Sequence, residues 1–315
     1  MLGIYLSSRT IRFGTVNGEG KVLSFHREAL PAPENESAST ERLLTLVRQA
    51  IKEQSASSPI AAIGVGLPGL VNQTTRQIVA LPNAPSLVSA NLYDEFSREF
   101  NLPLAVENNA NTAAYAEMCC GSAQSVSDWM YLSIGHGIGS GLVLDGRLRR
   151  GKSGYAGEIG HINIDPDGMQ CVCGSFGCLE TRASVPNIIR RTKERLHRDA
   201  TSSLSGFNNN EEMTYDDIIA AAQAGDDLAV LMMQRTGHFI GLAVADVINL
   251  LNLSMIVIGG ATAARQFLVP AIIEEARRRA FVHTFEDCQI VPAQLGEEAG
   301  VIGAALLAGQ MTARL

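Results

Sequence analysis

Short apolar runs separated by polar turns open the chain. Leu2–Leu6, Ile11–Val16 and Val22–Arg27 predict three strands, and Asn17-Gly18-Glu19-Gly20 supplies hairpin chemistry between the last two. After the polar, proline-containing stretch Pro31–Thr40 the period changes. Leu43, Leu44, Val47 and Ile51 recur at helical spacing and predict a helix over Glu41–Glu53. Ile60–Val65 is a continuous apolar strand ending in Gly66-Leu67-Pro68-Gly69. A helix at Leu92–Phe100, a strand at Leu104–Val106 and a helix at Ala110–Met118 follow.

A second series of strands starts at Trp129. Trp129–Ile134 and Gly141–Leu144 flank Gly135-His136-Gly137-Ile138-Gly139-Ser140. The chain then becomes largely helical, at Val185–Leu196, Tyr215–Ala224 and Asp227 to about Leu251. Asp199–Glu211 is polar and predicts a mobile loop. Met255–Ile258 is a buried strand ending in Gly259-Gly260; a helix (Ala264–Ala280), a strand (Gln289–Val291) and an apolar helix (Ala299–Leu307) complete the pattern. Two successive strand-then-helix series predict two similar α/β lobes with ligand in the crevice between them.

With 315 residues the chain is long enough for about two domains. A net charge of −7 argues against a protein built to coat nucleic acid. Arg147, Arg149, Arg150 and Lys152 form a local basic cluster, read as a solvated loop beside a hairpin. No uninterrupted apolar run reaches the roughly eighteen residues of a membrane span, and Met1–Leu6 lacks a signal peptide's basic region. No membrane partner is expected. Six cysteines, three of them beside a histidine, suit a reducing cytoplasm. Cys119, Cys120 and Cys288 are read as small buried hydrophobes.

The strongest chemical signal is His161, Cys171, Cys173 and Cys178. One imidazole and three thiols within eighteen residues can close a tetrahedral zinc site, and all four positions are then protein, so the metal is structural. Gly174 and Gly177 allow the backbone to fold tightly around it. Free or disulfide-bonded cysteines are the alternative.

This segment resembles the zinc signature of the ROK family (repressors, open reading frames and sugar kinases). Gly66–Gly69, Pro82-Asn83, Glu107-Asn108-Asn109-Ala110-Asn111, Gly135–Gly141, Gly157–His161, Cys178-Leu179-Glu180 and Gly259-Gly260 extend the resemblance over nearly the whole chain. It implies a two-lobed actin-like ATPase (ribonuclease H-like) fold with sugar and nucleotide between the lobes. The lobes are placed at 1–115 with 298–315, and at 116–297, the second carrying the zinc motif. The resemblance also implies a homodimer. Carried over by position, Asn83, Asn108, Asn109, Glu158, His161 and Glu180 form the sugar-contacting set. Their carboxylates and amides suit hydroxyls that both donate and accept. His161 can bind metal with one ring nitrogen and a hydroxyl with the other. For Glu158 the alternative is a solvated carboxylate; for Asn83, a turn pair. Gly135, His136, Gly137, Gly139, Gly259 and Gly260 are nucleotide-binding candidates, or glycine turns kept for folding.

Two departures matter. Kinases of the family carry an aspartate general base in an Asn-Asp-Ala-Asn stretch; here Asn109 holds that position, and an amide cannot accept a proton near neutral pH. The family's first phosphate loop runs roughly Asp-x-Gly-Gly-Thr-Lys; here it reads Tyr5-Leu6-Ser7-Ser8-Arg9-Thr10. The preferred expectation is therefore a sugar-binding sensor or regulator with weak or absent kinase activity. It lacks the N-terminal helix-turn-helix that the family's repressors carry. The alternative is an ATP-dependent hexose or amino-sugar kinase (glucokinase-, fructokinase- or N-acetylhexosamine kinase-like), using ATP and Mg2+. A subunit that assembles with an active homologue is a third reading.

Overall fold

The computed structural model describes residues 1–7, 10–29, 36–54, 59–80, 92–197, 201–208, 212–260 and 265–312. In chain order its strands are β1 (Leu2–Leu6), β2 (Thr10–Val16), β3 (Val22–Ala29), β4 (Ile63–Leu67), β5 (Leu70–Asn72), β6 (Gln77–Ala80), β7 (Leu104–Asn108), β8 (Trp129–Ile134), β9 (Ile138–Leu144), β10 (Arg147–Leu148), β11 (Met255–Gly260) and β12 (Gln289–Pro292). The helices are α1 (Glu36–Gln54), α2 (Leu92–Phe100), α3 (Asn109–Cys120), α4 (Glu180–Ala183), α5 (Val185–Leu196), α6 (Tyr215–Gln223), α7 (Asp227–Leu251), α8 (Arg265–Arg279), α9 (Val282–Glu286) and α10 (Ala299–Thr312).

Among the described residues there are two five-stranded sheets, ordered β3-β2-β1-β4-β7 and β10-β9-β8-β11-β12, and a β5-β6 ribbon. Both large sheets follow one plan: an antiparallel run continued by parallel strands, as in the β1-β2 and β1-β4 pairings. The chain divides into two compact units. One comprises Met1–Tyr131, Ser140–Gly157 and Ala293–Leu315; the other comprises Leu132–Gly139 and Glu158–Pro292.

In the first unit the two-residue period of β1 decides what each face meets. Leu2, Ile4 and Leu6 are buried in a cluster with Leu43 and Val47 of α1. Gly3 and Tyr5 fall on the other face, against α10. That helix lies so close that a Cβ on Gly3 would meet the Val301 carbonyl oxygen at 2.0 Å, and one on Gly64 the Ala304 oxygen at 1.8 Å. On the helix side, a Cβ on Gly303 would meet the Thr112 oxygen of α3 at 1.7 Å. Missing side chains on both partners thus let sheet, α10 and α3 approach backbone to backbone, which fixes where α3 begins.

The second unit is built around α7 and α8, again through small residues. Gly237 and Gly241 of α7 face Ala271 and Glu275 of α8, with Cβ approaches of 2.5 and 2.7 Å. By length and composition alone α7 is long and apolar enough to cross a membrane, although its apolar run is interrupted by Gln234, Arg235, His238 and Asp246. In this fold 61% of its most apolar window is buried, as a core helix requires. The expectation counted uninterrupted apolar residues, whereas one polar residue per turn leaves a helix largely apolar.

Several boundaries moved. β4 continues through Gly66 and Leu67 because both pair with Glu107 and Asn108 of β7. The polar stretch expected to be mobile contains a 3-10 helix, Ser203–Asn208. The Asp226 carboxylate secures its start, accepting from Ser202 and Ser203 while also capping α7 at Ala229. Cys288 is buried as expected, but Cys119 is exposed and Cys120 half-buried, because they lie in the final turn of α3.

Gly64→Ala should destabilise the first unit by about 2 kcal/mol or more, since its Cβ has only backbone to displace. Urea denaturation measures this; an unchanged midpoint would contradict the packing described.

Candidate functional site

In the second unit, the ligand atoms of His161, Cys171, Cys173 and Cys178 all lie within 4.8 Å of one another. Cys171 Sγ is 3.6 Å from His161 Nδ1, and Cys173 Sγ is 3.7 Å from Cys178 Sγ. A tetrahedral zinc has edges of about 3.6 Å between N and S and about 3.8 Å between two S atoms, from its usual bond lengths. A disulfide needs about 2.05 Å, and all six cysteines are free. The donor set therefore fits zinc, held by Nδ1 and three thiolates, with a purely structural contribution.

The backbone is shaped for this cluster. Cys171 N–H donates to the Ser175 oxygen and Gly174 N–H to the Cys171 oxygen, a tight turn that uses φ +90 at Gly174. Gly177 has φ +65, and a Cβ there would meet the Asp165 oxygen at 1.7 Å. Asn163 pairs with Cys178, and Arg182 grips the Asp165 carboxylate.

Three sugar-contact candidates stand beside this cluster. His161 turns Nε2 toward Glu158, 4.0 Å from its Oε2. Burial pushes the Glu158 carboxyl above the usual range; His161 opposes this and the Glu180 charge adds to it. Glu180, at the start of α4, is buried, and its Oε2 accepts from Ile138 N–H at 2.8 Å. The glycine loop is thereby tied to α4. Val185 N–H bonds the Gly135 oxygen at 2.8 Å, and Gly135 N–H bonds the Gly137 oxygen at 3.0 Å. His136 and Gly139, both half-buried, belong to the same loop. Gly259 is buried in β11. Gly260 has a packing reason of its own: φ +84, and a Cβ would meet the Ile134 oxygen at 2.0 Å.

In the first unit, β7 passes directly into α3 at the asparagine motif. Asn108 caps α3, accepting from Ala110 and Asn111 N–H at 2.8 and 3.3 Å, and donates from Nδ2 to the Gly69 oxygen at 3.0 Å. It ties the Gly66–Gly69 turn to the helix. Asn109 is the first helical residue and half-buried, and its side-chain amide has no partner among the described residues. Asn83 lies outside the described residues, as do Ser8, Arg9 and Ala261.

Sequence reasoning missed what lies beneath this motif. Glu107 is buried; Oε1 accepts from Asn108 N–H and Asn111 Nδ2, and Oε2 pairs with Arg150. Arg150 was read as part of a solvated loop. It is instead the counter-ion of a buried carboxylate, because leaving Glu107 unpaired inside the fold would be severely unfavourable. Only its place directly before the asparagines marked Glu107 in the sequence.

Ser7 and Thr10, which flank the first loop at the ends of β1 and β2, are tied to one another. Ser7 N–H donates to the Thr10 oxygen, Thr10 N–H to Ser7 Oγ, and the two hydroxyls lie 2.9 Å apart. Tyr5 sits with its ring over Gly300 at the start of α10; a Cβ there would meet the ring at 1.8 Å. Arg12 lies over the same ring, 5.7 Å from its centroid, and bonds Glu297 at 3.5 Å.

Two mixed α/β units with the same strand plan define the actin-like ATPase fold of the sugar kinases. The ROK family profile matches residues 1–311, and the chain belongs to the ROK family. A xylose repressor of Caldicellulosiruptor bescii is 28% identical over 305 residues, covering 96% of this chain and 76% of the repressor. A ROK family transcriptional regulator, a homologue of the E. coli MLC protein, aligns at TM-score 0.87 with 33% identity, over 98% of this chain and 77% of its own. A ROK family glucokinase from Streptomyces griseus, solved with glucose and AMPPNP, aligns at TM-score 0.86 with 30% identity, over 98% of this chain and 99% of its own. Relatives thus include both glucokinases and xylose repressors.

Two measurements test this geometry. Elemental analysis should find about one zinc per chain, falling sharply in Cys171→Ser and Cys178→Ser; unchanged zinc in both would contradict the ligand assignment. Arg150→Met should lower stability by about 3 kcal/mol, because it strands the buried Glu107 carboxylate; an unaltered denaturation midpoint would contradict that pairing.

Proposed function

We propose that this chain is a sugar-binding ROK protein that senses or regulates rather than phosphorylates. Glu158, His161 and Glu180 take sugar hydroxyls from a segment ordered by zinc. Asn109 stands where the family's kinases place the general base, and it can hydrogen-bond a hydroxyl without taking its proton. Loss of such a base lowers rate by about 10²–10⁴-fold.

The observation that supports this reading is the pairing of Ser7 with Thr10 at the ends of β1 and β2. In the resembling kinases this segment is glycine-rich and open to phosphate. Here Ser7 and Thr10 satisfy one another, and the Tyr5 ring occupies the face of β1 that meets α10. Backbone amides turned to internal acceptors are withdrawn from a phosphate. Base and cradle are altered independently of one another.

A working hexose or amino-sugar kinase is the second reading. It is favoured by the intact Gly135–Gly139 loop and by the 30% identity to a glucokinase solved with AMPPNP. Phosphoryl transfer depends mainly on positioning and charge, so that reading requires the Ser7–Thr10 turn to open.

Calorimetry with a panel of hexoses, pentoses and amino sugars should detect binding of at least one without nucleotide. Glu158→Gln should weaken it about tenfold or more, through the loss of charge-assisted hydrogen bonds. Asn109→Asp alone should leave ATP-dependent transfer within about tenfold of the unaltered chain, because Ser7 and Thr10 stay paired. Restoration by about 10² or more from that one change would overturn the account of the turn.

A further inference from the structure

Two arginines lie over one aromatic ring in the second unit, and the charges of two more bear on the inner one; two carboxylates pair with members of this group. Arg182 of α4 and Arg191 of α5 both lie over Phe239 of α7, with Cζ 5.7 and 5.2 Å from the ring centroid. Arg182 pairs with Asp165, and Arg190 with Glu194. Arg191 and Arg235 have no ion pair among the described residues.

Arg191 is the informative member. It is 8% exposed; Nη2 donates to Thr236 Oγ1, while its buried Nε has no acceptor. Burial, followed by the charges of Arg182, Arg190 and Arg235, pulls its pKa down to about 10, with Glu194 opposing. A buried guanidinium among like charges is unfavourable, and the Phe239 ring face offsets only part of this. Arg235 is exposed and lies one helical turn from Phe239, on the same face of α7.

We propose that this cluster binds the phosphate group of a small phosphorylated metabolite. Arg191 and Arg235 supply the uncompensated charge, and guanidinium forks match phosphate oxygens in pairs. The site adjoins α4. Arg190 donates to the Thr181 oxygen, and Asn187 bonds the Glu180 oxygen at 3.0 Å. Occupancy therefore bears on the residue that holds the glycine loop. That consequence rests on the sugar-binding reading; the binding itself does not.

The test is calorimetry on the full chain at constant ionic strength, with inorganic phosphate, glycerol 3-phosphate and, as uncharged control, glycerol. Both phosphates should bind and glycerol should not. Arg235→Gln should weaken binding about tenfold, and Arg191→Met should abolish it. Should Arg191→Met fail to fold, the exposed Arg235→Gln decides alone. No phosphate binding by the unaltered chain, or affinities that Arg235→Gln leaves unchanged, would overturn the site. Tighter binding of glycerol 3-phosphate supports a phosphorylated metabolite, and the reverse order overturns that assignment in favour of the free ion.

Discussion

The segment from His161 to Glu180 has little hydrophobic reason to fold, so its four metal-ligand side chains are the constraint on which the site depends. Met169, Val172 and Phe176 are 44%, 65% and 54% exposed, so apolar burial does not hold this loop. Short backbone bonds around Gly174 and Gly177 shape it, and a metal held by Nδ1 and three thiolates would close it. The same closure orients His161, leaving Nε2 toward Glu158, and sets Cys178 two residues before Glu180. Zinc fitted here would act on ligand binding through geometry alone.

A different device serves the first unit. There, glycines at Gly3, Gly64 and Gly303 allow sheet, α10 and α3 to meet at backbone distance. Such contacts tolerate almost no added volume, so the first turn of α3 is held where β7 ends. Glu107 and Arg150 complete the arrangement by fixing Asn108 and Asn111 from below. Asn109 is thus presented on a rigid turn, although its side chain lacks the chemistry of a base.

Much of this was legible in the sequence, for identifiable reasons. The helices α2 and α5 carry strong apolar periodicity and α7 a long, largely apolar run, and the structure places them at the expected residues. The metal cluster was legible because donor type and spacing are local. What escaped was non-local. The partnership of Glu107 with Arg150 spans 43 positions. The β5-β6 ribbon turns at Arg76 with φ +58, which no glycine announces. The sequence predicts an altered first phosphate loop, but not that Ser7 and Thr10 pair with one another.

Sugar recognition without efficient transfer reconciles relatives that include both repressors and kinases. The most direct measurement is the steady-state rate of ADP release by the purified chain, with saturating Mg-ATP and whichever sugar it binds. Sugar kinases of ordinary competence turn over at about 1–100 per second. The account predicts a rate below about 0.1 per second, as the proposed loss of the base and of the phosphate cradle would give. A rate inside the ordinary range would contradict it.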